Sequence, residues 1–382
     1  MSDDEASGLR PLFTGASMHD YFPIMMKAEP SVRMDAAPEP HTFPVGEPFD
    51  LPQTMFFNDT DQSVEDCLVN TDTVAVVVLQ DGKVRHEQYR LTGGPGVHWI
   101  SWSVAKSFIS TLIGIAVEEG RIASITDAIS DYHPKLVGSA YEGVSIEDVL
   151  QMSSGARWNE DYADPESDIH RFGAAMTGEL TLDDFVHGME NEHPPGSLCR
   201  YNSADTQALG MMLAGAVGRP VAEYMKDKLI DPLGFEAEGY WITDTAGVEM
   251  TAGGLMLTPH DFAKLGELFR RGGDWMGEQI VSTDWVAAAT RANKPHTQPG
   301  KPVIAGGSLP TGYGYQWWLP PGDRGNFQAI GIYNQYIHVD PMTESVIVKL
   351  SANRTYGTAT SEEADMEGAN DAFFSAVVAA LD

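Results

Sequence analysis

Residues 103–120, SVAKSFISTLIGIAVEEG, constrain the fold more than any other stretch of this chain. Val104, Phe108, Ile109, Leu112, Ile113, Ile115, Ala116 and Val117 recur at helical spacing, and Gly120 stands where a helix end favours a residue without a Cβ. On a helix these side chains cover nearly every face. A surface helix needs one apolar stripe, whereas a helix that is apolar all round must be wrapped by other elements. The chain is long enough to do this: 382 residues can bury a large core in one large domain or two intimately joined ones.

The flanking sequence indicates what does the wrapping. VAVVVLQDGKVRHEQYRL (74–91) holds two β-rich runs around Asp81-Gly82, a strong hairpin signal. From 125 to 270 the pattern is mostly helical, with helices predicted over 145–152, 203–218, 221–234 and 259–273. A long loop, 153–168, interrupts them, and loops of that length in compact domains are often functional. Strand character returns at 312–319, 327–340 and 345–352, with a turn at Pro341–Glu344, and a helix over 363–381 closes the chain. Residues 1–73 are rich in Pro, Asp and Glu with scattered aromatics and read as an irregular wrapping segment. Strands at both ends around a helical middle predict an α/β fold: a mainly antiparallel sheet flanked by helices (74–150 and 270–382) with an inserted, mainly helical domain (151–269).

Charge excludes several function classes. The balance is 24 Lys+Arg against 55 Asp+Glu, a net −31. Nucleic-acid binding and docking on anionic membranes both need clustered basic residues, so neither is expected. No run approaches the roughly 18 apolar residues of a membrane span, and the acidic N-terminus has no signal-peptide pattern, which predicts a cytoplasmic protein. Cys67 and Cys199 are too few and too separated for a disulfide framework or a thiolate zinc site, and they read as structural thiols. His187 and His193 flank two glutamates without H-E-x-x-H spacing, so no metal and no cofactor are expected. Nucleotide-binding glycine motifs and a G-x-S-x-G elbow are missing. The expected partner is a small molecule, with the chain acting as monomer or homodimer.

The chemistry centres on Ser103-Val104-Ala105-Lys106. Residues i and i+3 share a helix face, so the lysine amine can reach the serine oxygen. The helix N-terminus adds unpaired N–H groups and the positive end of a dipole. Burial would also favour a neutral amine, placing a base beside a nucleophile. S-x-x-K is a short string, and a capping serine followed by an exposed lysine would carry no function. Here the match is single, and it falls on the most apolar helix of the chain, where a lysine is costly without a partner or a task. A second element, Tyr201-Asn202-Ser203, precedes a predicted helix. Either Asn202 or Ser203 suits an N-cap, and a phenol fixed there could aim into a cleft and shuttle a proton.

S-x-x-K, then Y-x-[NS] about a hundred residues on, then a Gly-containing strand near the C-terminus resembles the penicillin-recognising serine hydrolases. Within them the chain resembles the class C β-lactamase and esterase branch, and more closely the 6-aminohexanoate-dimer (nylon-oligomer) hydrolases and their carboxylesterase relatives. The segments that carry this likeness are 150–168, 194–210, 251–273, 312–319 and 331–341, and the likeness spans about 75–382. It implies a β-lactamase/D-peptidase-like fold, with Ser103 as nucleophile, Lys106 as its base and Tyr201 as proton relay. It also implies an oxyanion hole from the N–H groups of Ser103 and Ile332. Whether Lys106 or Tyr201 takes the first proton stays open.

The chain departs from the family pattern at Tyr333-Asn334-Gln335, where many relatives carry Lys-Thr-Gly or a His-Gly pair. A missing basic residue there argues against carboxylate-bearing β-lactams, and Tyr333, Asn334 and Gln335 are expected to wall the cleft. Trp158 and Tyr162 on the long loop are further substrate-binding candidates, with Tyr162 either near the leaving group or anchoring its loop. The expected activity is hydrolysis of small esters or short linear amides through an acyl-enzyme. A β-lactamase or D-amino-acid peptidase is the alternative enzyme, and an inactive binding protein on the same fold is the non-enzyme alternative. An acidic rim around the cleft is also expected from the net charge.

Overall fold

The structure, a computed structural model, describes residues 10–178 and 180–382. Its centre is a seven-stranded sheet that is antiparallel throughout. The spatial order is Gly312–Tyr313, Trp318–Leu319, Phe327–Gly331, Gln335–Asp340, Ser345–Ser351, Thr73–Gln80, Lys83–Tyr89. The first and last parts of the chain therefore meet in the middle of the sheet, where Val77 pairs with Val348. Asp81 and Gly82 both take left-handed φ and close the hairpin that their sequence predicts.

The strand Thr73–Gln80 reads as an almost unbroken apolar run because both its faces are covered. Alternate residues feed separate cores, as the two-residue strand period requires. Val77 and Leu79 join the core that contains the helices Ala105–Glu118 and Pro259–Arg270. Val76 and Val78 face the opposite side and pack with Phe373, Phe374 and Val377 of the C-terminal helix. The wrapped helix is wrapped as expected: every residue from Ala105 to Ala116 is buried. Ser203–Val217, in the helical region, packs against it, while Pro259–Arg270 packs on the sheet. Among the described residues no helix is long and apolar enough to cross a membrane.

The structure departs from the sequence reading in the N-terminal segment, the helical middle, the predicted strand 327–340 and the closing helix. A second sheet joins Ser31–Met34, Gly239–Ile242, Leu255–Leu257 and Trp99–Ile100, so strands occur both in the N-terminal segment and in the helical middle. These strands have two to four residues, too few to display alternation. The N-terminal segment also forms the hairpin Thr54–Phe57/Thr60–Ser63 and the helix Val64–Asn70, which Ser63 caps. The predicted strand 327–340 folds back on itself at residues 332–334, where Tyr333 and Asn334 are left-handed, and the closing helix breaks at left-handed Met366.

Gly266 sets the spacing between the sheet and the helix Pro259–Arg270. A Cβ there would lie 2.5 Å from Val346 Cγ1 and 2.8 Å from Ile337 Cγ2, both on central strands. We expect Gly266→Ala to destabilise the fold by about 1–3 kcal/mol, measured by urea denaturation. An unchanged midpoint and slope would show that the helix can lift off the sheet at no cost.

Candidate active site

Ser103 stands in the 3₁₀ turn Trp102–Val104, which runs directly into the helix Ala105–Glu118. Trp102, just before it, is held at a left-handed φ of 43°, a conformation a bulky residue keeps only when its surroundings enforce it. One turn on, Lys106 is 1% exposed. Its Nζ lies 2.7 Å from Ser103 Oγ, 3.1 Å from Ser203 Oγ and 2.7 Å from the Ala252 carbonyl oxygen. Desolvation pulls this amine down to about 8, against the opposing attraction of Glu160.

Those three contacts fix where the protons sit. A protonated amine donates to all three oxygens, whereas a neutral one has two N–H bonds and one lone pair. The Ala252 carbonyl can only accept. The Ser203 hydroxyl already donates to Glu160 Oε1 at 2.6 Å, so toward Lys106 it also accepts. Both N–H bonds of the neutral amine are then occupied, and the lone pair falls on Ser103 Oγ. A base that removes the serine proton needs this orientation.

Glu160 commits Ser203 to that role. It is 2% exposed and also accepts from Ser203 N–H at 3.0 Å, from Tyr162 O–H at 2.7 Å and from the Trp158 indole N–H. Four donors on one carboxylate satisfy it in place, as a buried charge requires.

Tyr201 is buried beside Lys106, its ring stacked on Trp318 at 5.1 Å and presenting its face to Nζ at 5.3 Å. Burial pushes its phenol well above the ordinary range; Glu160 adds to this and a hydrogen bond with Ser103 opposes it. The N-cap of the following helix is Asn202, whose side chain accepts from the N–H groups of Ala204 and Asp205. Ser203 is thereby left free to bridge Lys106 and Glu160. Gly331 ends its strand against the Ser103 turn: a Cβ there would lie 2.5 Å from Ser101 O and 3.1 Å from Ser103 N. This close approach brings Ile332 and Ser103 to one cavity wall.

A cavity of about 360 Å³ opens onto Ser103, Ser203, Tyr162 and Ile332. Of the residues expected to bind substrate, only Tyr162 lines it. Trp158 faces other cavities, one of which it shares with Arg157, Arg200 and Tyr201. Tyr333, Asn334 and Gln335 are 1% exposed or less and point into the protein. Tyr333 O–H accepts from Phe13 N–H, Asn334 donates to the Asp365 carbonyl, and Gln335 bonds Trp99 and both backbone groups of Ser351. They support the cleft from behind. The expected acidic rim is also corrected: the described lining includes Arg10 and His170 and no Asp or Glu. Sequence reasoning assigned no role to Glu160, the Ala252 carbonyl or the N-terminal residues 10–13 that line this cavity. The only available signal for Glu160 was its place on the long loop.

The β-lactamase family model matches residues 62–372. The 6-aminohexanoate-dimer hydrolase of Paenarthrobacter ureafaciens is 30% identical over 297 residues, 76% of this chain and 75% of that protein. A solved structure described as a "putative 6-aminohexanoate-dimer hydrolase from Bacillus anthracis" superposes with a TM-score of 0.83 at 21% identity, over 98% of this chain and 97% of that one. EstCE1, a hydrolase with promiscuous acyltransferase activity, gives a TM-score of 0.64 at 17% identity, over 81% and 96%. At these identities the two structures speak for the fold, and the family follows from the sequence matches. The chain belongs to the β-lactamase family of penicillin-recognising serine hydrolases, among the proteins resembling 6-aminohexanoate-dimer hydrolase.

Proposed function

We propose that this protein is a serine hydrolase that cleaves small esters or short linear amides through an acyl-enzyme, as a carboxylesterase or 6-aminohexanoate-oligomer hydrolase does. The observation that carries this reading is the proton arrangement at Lys106, where two acceptor-only contacts leave the lone pair to Ser103. Lys106 is the better first base, because its amine is lowered while the Tyr201 phenol is raised. Ser103 Oγ attacks the substrate carbonyl as its proton passes to Lys106 Nζ. The N–H groups of Ser103 and Ile332 hold the oxyanion. On collapse, the ester or amide bond breaks and the proton returns through the Tyr201 hydroxyl to the leaving oxygen or nitrogen. Water then repeats the sequence on the acyl-enzyme and releases the acid. With Tyr333 turned inward, no basic side chain of that turn reaches a β-lactam carboxylate.

Ser103→Ala and Lys106→Ala should each lower kcat/KM on p-nitrophenyl acetate by at least about 10³-fold while keeping the wild-type circular dichroism. Undiminished turnover in either folded variant would remove the assignment, and nitrocefin turnover far above ester turnover would favour the β-lactamase alternative.

The pH dependence follows from Lys106. The neutral amine is the active form, so kcat/KM should rise as pH passes about 8. Glu160 favours the ammonium form. Glu160→Gln removes that attraction, lowers the amine further and should move the acid limb down by about one pH unit, with a lower plateau because Ser203 is no longer committed. An acid limb at the wild-type position in a folded Glu160→Gln protein would refute the coupling.

A further inference from the structure

The N-terminal segment reaches the cavity beside Ser103. Pro11, Leu12 and Phe13 line it together with Ile169, Phe172 and Met250. Phe13 is fixed from several directions. Its N–H donates to Tyr333 O–H at 2.8 Å, and its ring lies 4.9 Å from Tyr162 and 5.5 Å from Tyr333. It adopts a left-handed φ of 60°, a conformation that an aromatic residue holds only when contacts over-determine it. The opposite loop has made room: a Cβ on Gly357 would lie 2.5 Å from Phe13 Cδ1 and 2.9 Å from Tyr162 Cβ. Tyr162 in turn donates to Glu160, so this wall is continuous with the network around Lys106.

The chamber so closed offers little to a charged chain. Its described lining has no carboxylate, and both Glu160 oxygens are already occupied. Arg10, at the same wall, is paired with Asp20 at 2.6 Å. Apolar surface therefore dominates what a substrate chain would touch, and recognition there comes from removing hydrocarbon from water.

We propose that the strap Arg10–Phe13 selects the substrate, by closing the chamber beside Ser103 into a pocket for the uncharged hydrocarbon chain of an ester or amide. This rests on the hydrolase reading above and narrows it: neutral apolar chains are preferred over chains ending in an ammonium group. The inward turn of Tyr333 acquires a purpose, since its hydroxyl anchors the strap.

The test compares the wild-type, Phe13→Ala and Phe13→Trp proteins on p-nitrophenyl acetate, butyrate, hexanoate and 6-aminohexanoate, with a second series in which the alcohol lengthens instead of the acid. In one series wild-type kcat/KM should rise about fourfold per methylene until the chamber fills, and 6-aminohexanoate should fall at least about tenfold below hexanoate. Phe13→Ala should cut the long-to-short ratio at least about tenfold, and Phe13→Trp should move the optimum to shorter chains. Ratios unchanged in both variants, in both series, would overturn the proposal. Binding of the unreactive ketones 2-butanone to 2-octanone, read as a rise in melting temperature, probes the chamber without chemistry at Ser103. A rise that grows with chain length and is lost in Phe13→Ala supports the strap even if no ester is cleaved, in which case the hydrolase reading alone fails. Normal ester turnover with ketone binding and chain-length ratios all indifferent to Phe13 leaves the hydrolase reading standing and removes the strap.

Discussion

Enclosing the Lys106 amine is the constraint on which the rest of this structure depends. An ammonium group cut off from water is costly, and a protein meets that cost by pairing the charge, by neutralising it, or by both. Here the enclosure is the core itself. The helix that carries Lys106 is buried along its length from Ala105 to Ala116, in one core shared with the sheet and with Ser203–Val217. The amine is left with three oxygens and the face of the Tyr201 ring, and the Glu160 carboxylate behind Ser203 compensates its charge. This balance is delicate by design of the residues around it: stronger compensation would hold the proton on the lysine, and none would leave Ser203 free to donate to the lone pair.

The net charge of −31 takes on a different meaning beside that site. Acidity predicts no polyanionic partner, yet it does not extend to the described lining of the chamber, which is mainly apolar and includes Arg10 and His170. The carboxylate that matters is the buried Glu160, whose field reaches both the Lys106 amine and the Tyr201 phenol. Bulk charge and local charge are thus separate properties of this chain, and only the local part bears on chemistry.

Much of the fold is legible in the sequence because its signals are local and long. The hairpin at Asp81-Gly82, the buried helix and the C-terminal strands each carry a long apolar run with clear turn or cap signals. Ser103 and Lys106 are legible for the same reason, being one helical turn apart. Glu160 is not, because its bond to Ser203 spans 43 residues and depends on how a long loop lies. Ile332, proposed as an oxyanion donor, is reached only through family likeness, since a backbone N–H leaves no mark on side-chain identity. Tyr333, Asn334 and Gln335 stand where relatives carry their motif, but two consecutive left-handed residues redirect this turn, and their side chains bury into partners far away in sequence. The strap at residues 10–13 has no periodicity to read, and what orders it is distant: a tyrosine hydroxyl 320 residues on.

Covalent capture with a fluorophosphonate probe tests the central claim most directly, with the adduct located by mass spectrometry and its rate followed against pH. A neutral Lys106 poised on Ser103 predicts a single adduct on Ser103, forming faster as pH rises through about 8. An adduct elsewhere, no adduct on the folded protein, or a rate at Ser103 indifferent to pH across that range would contradict it.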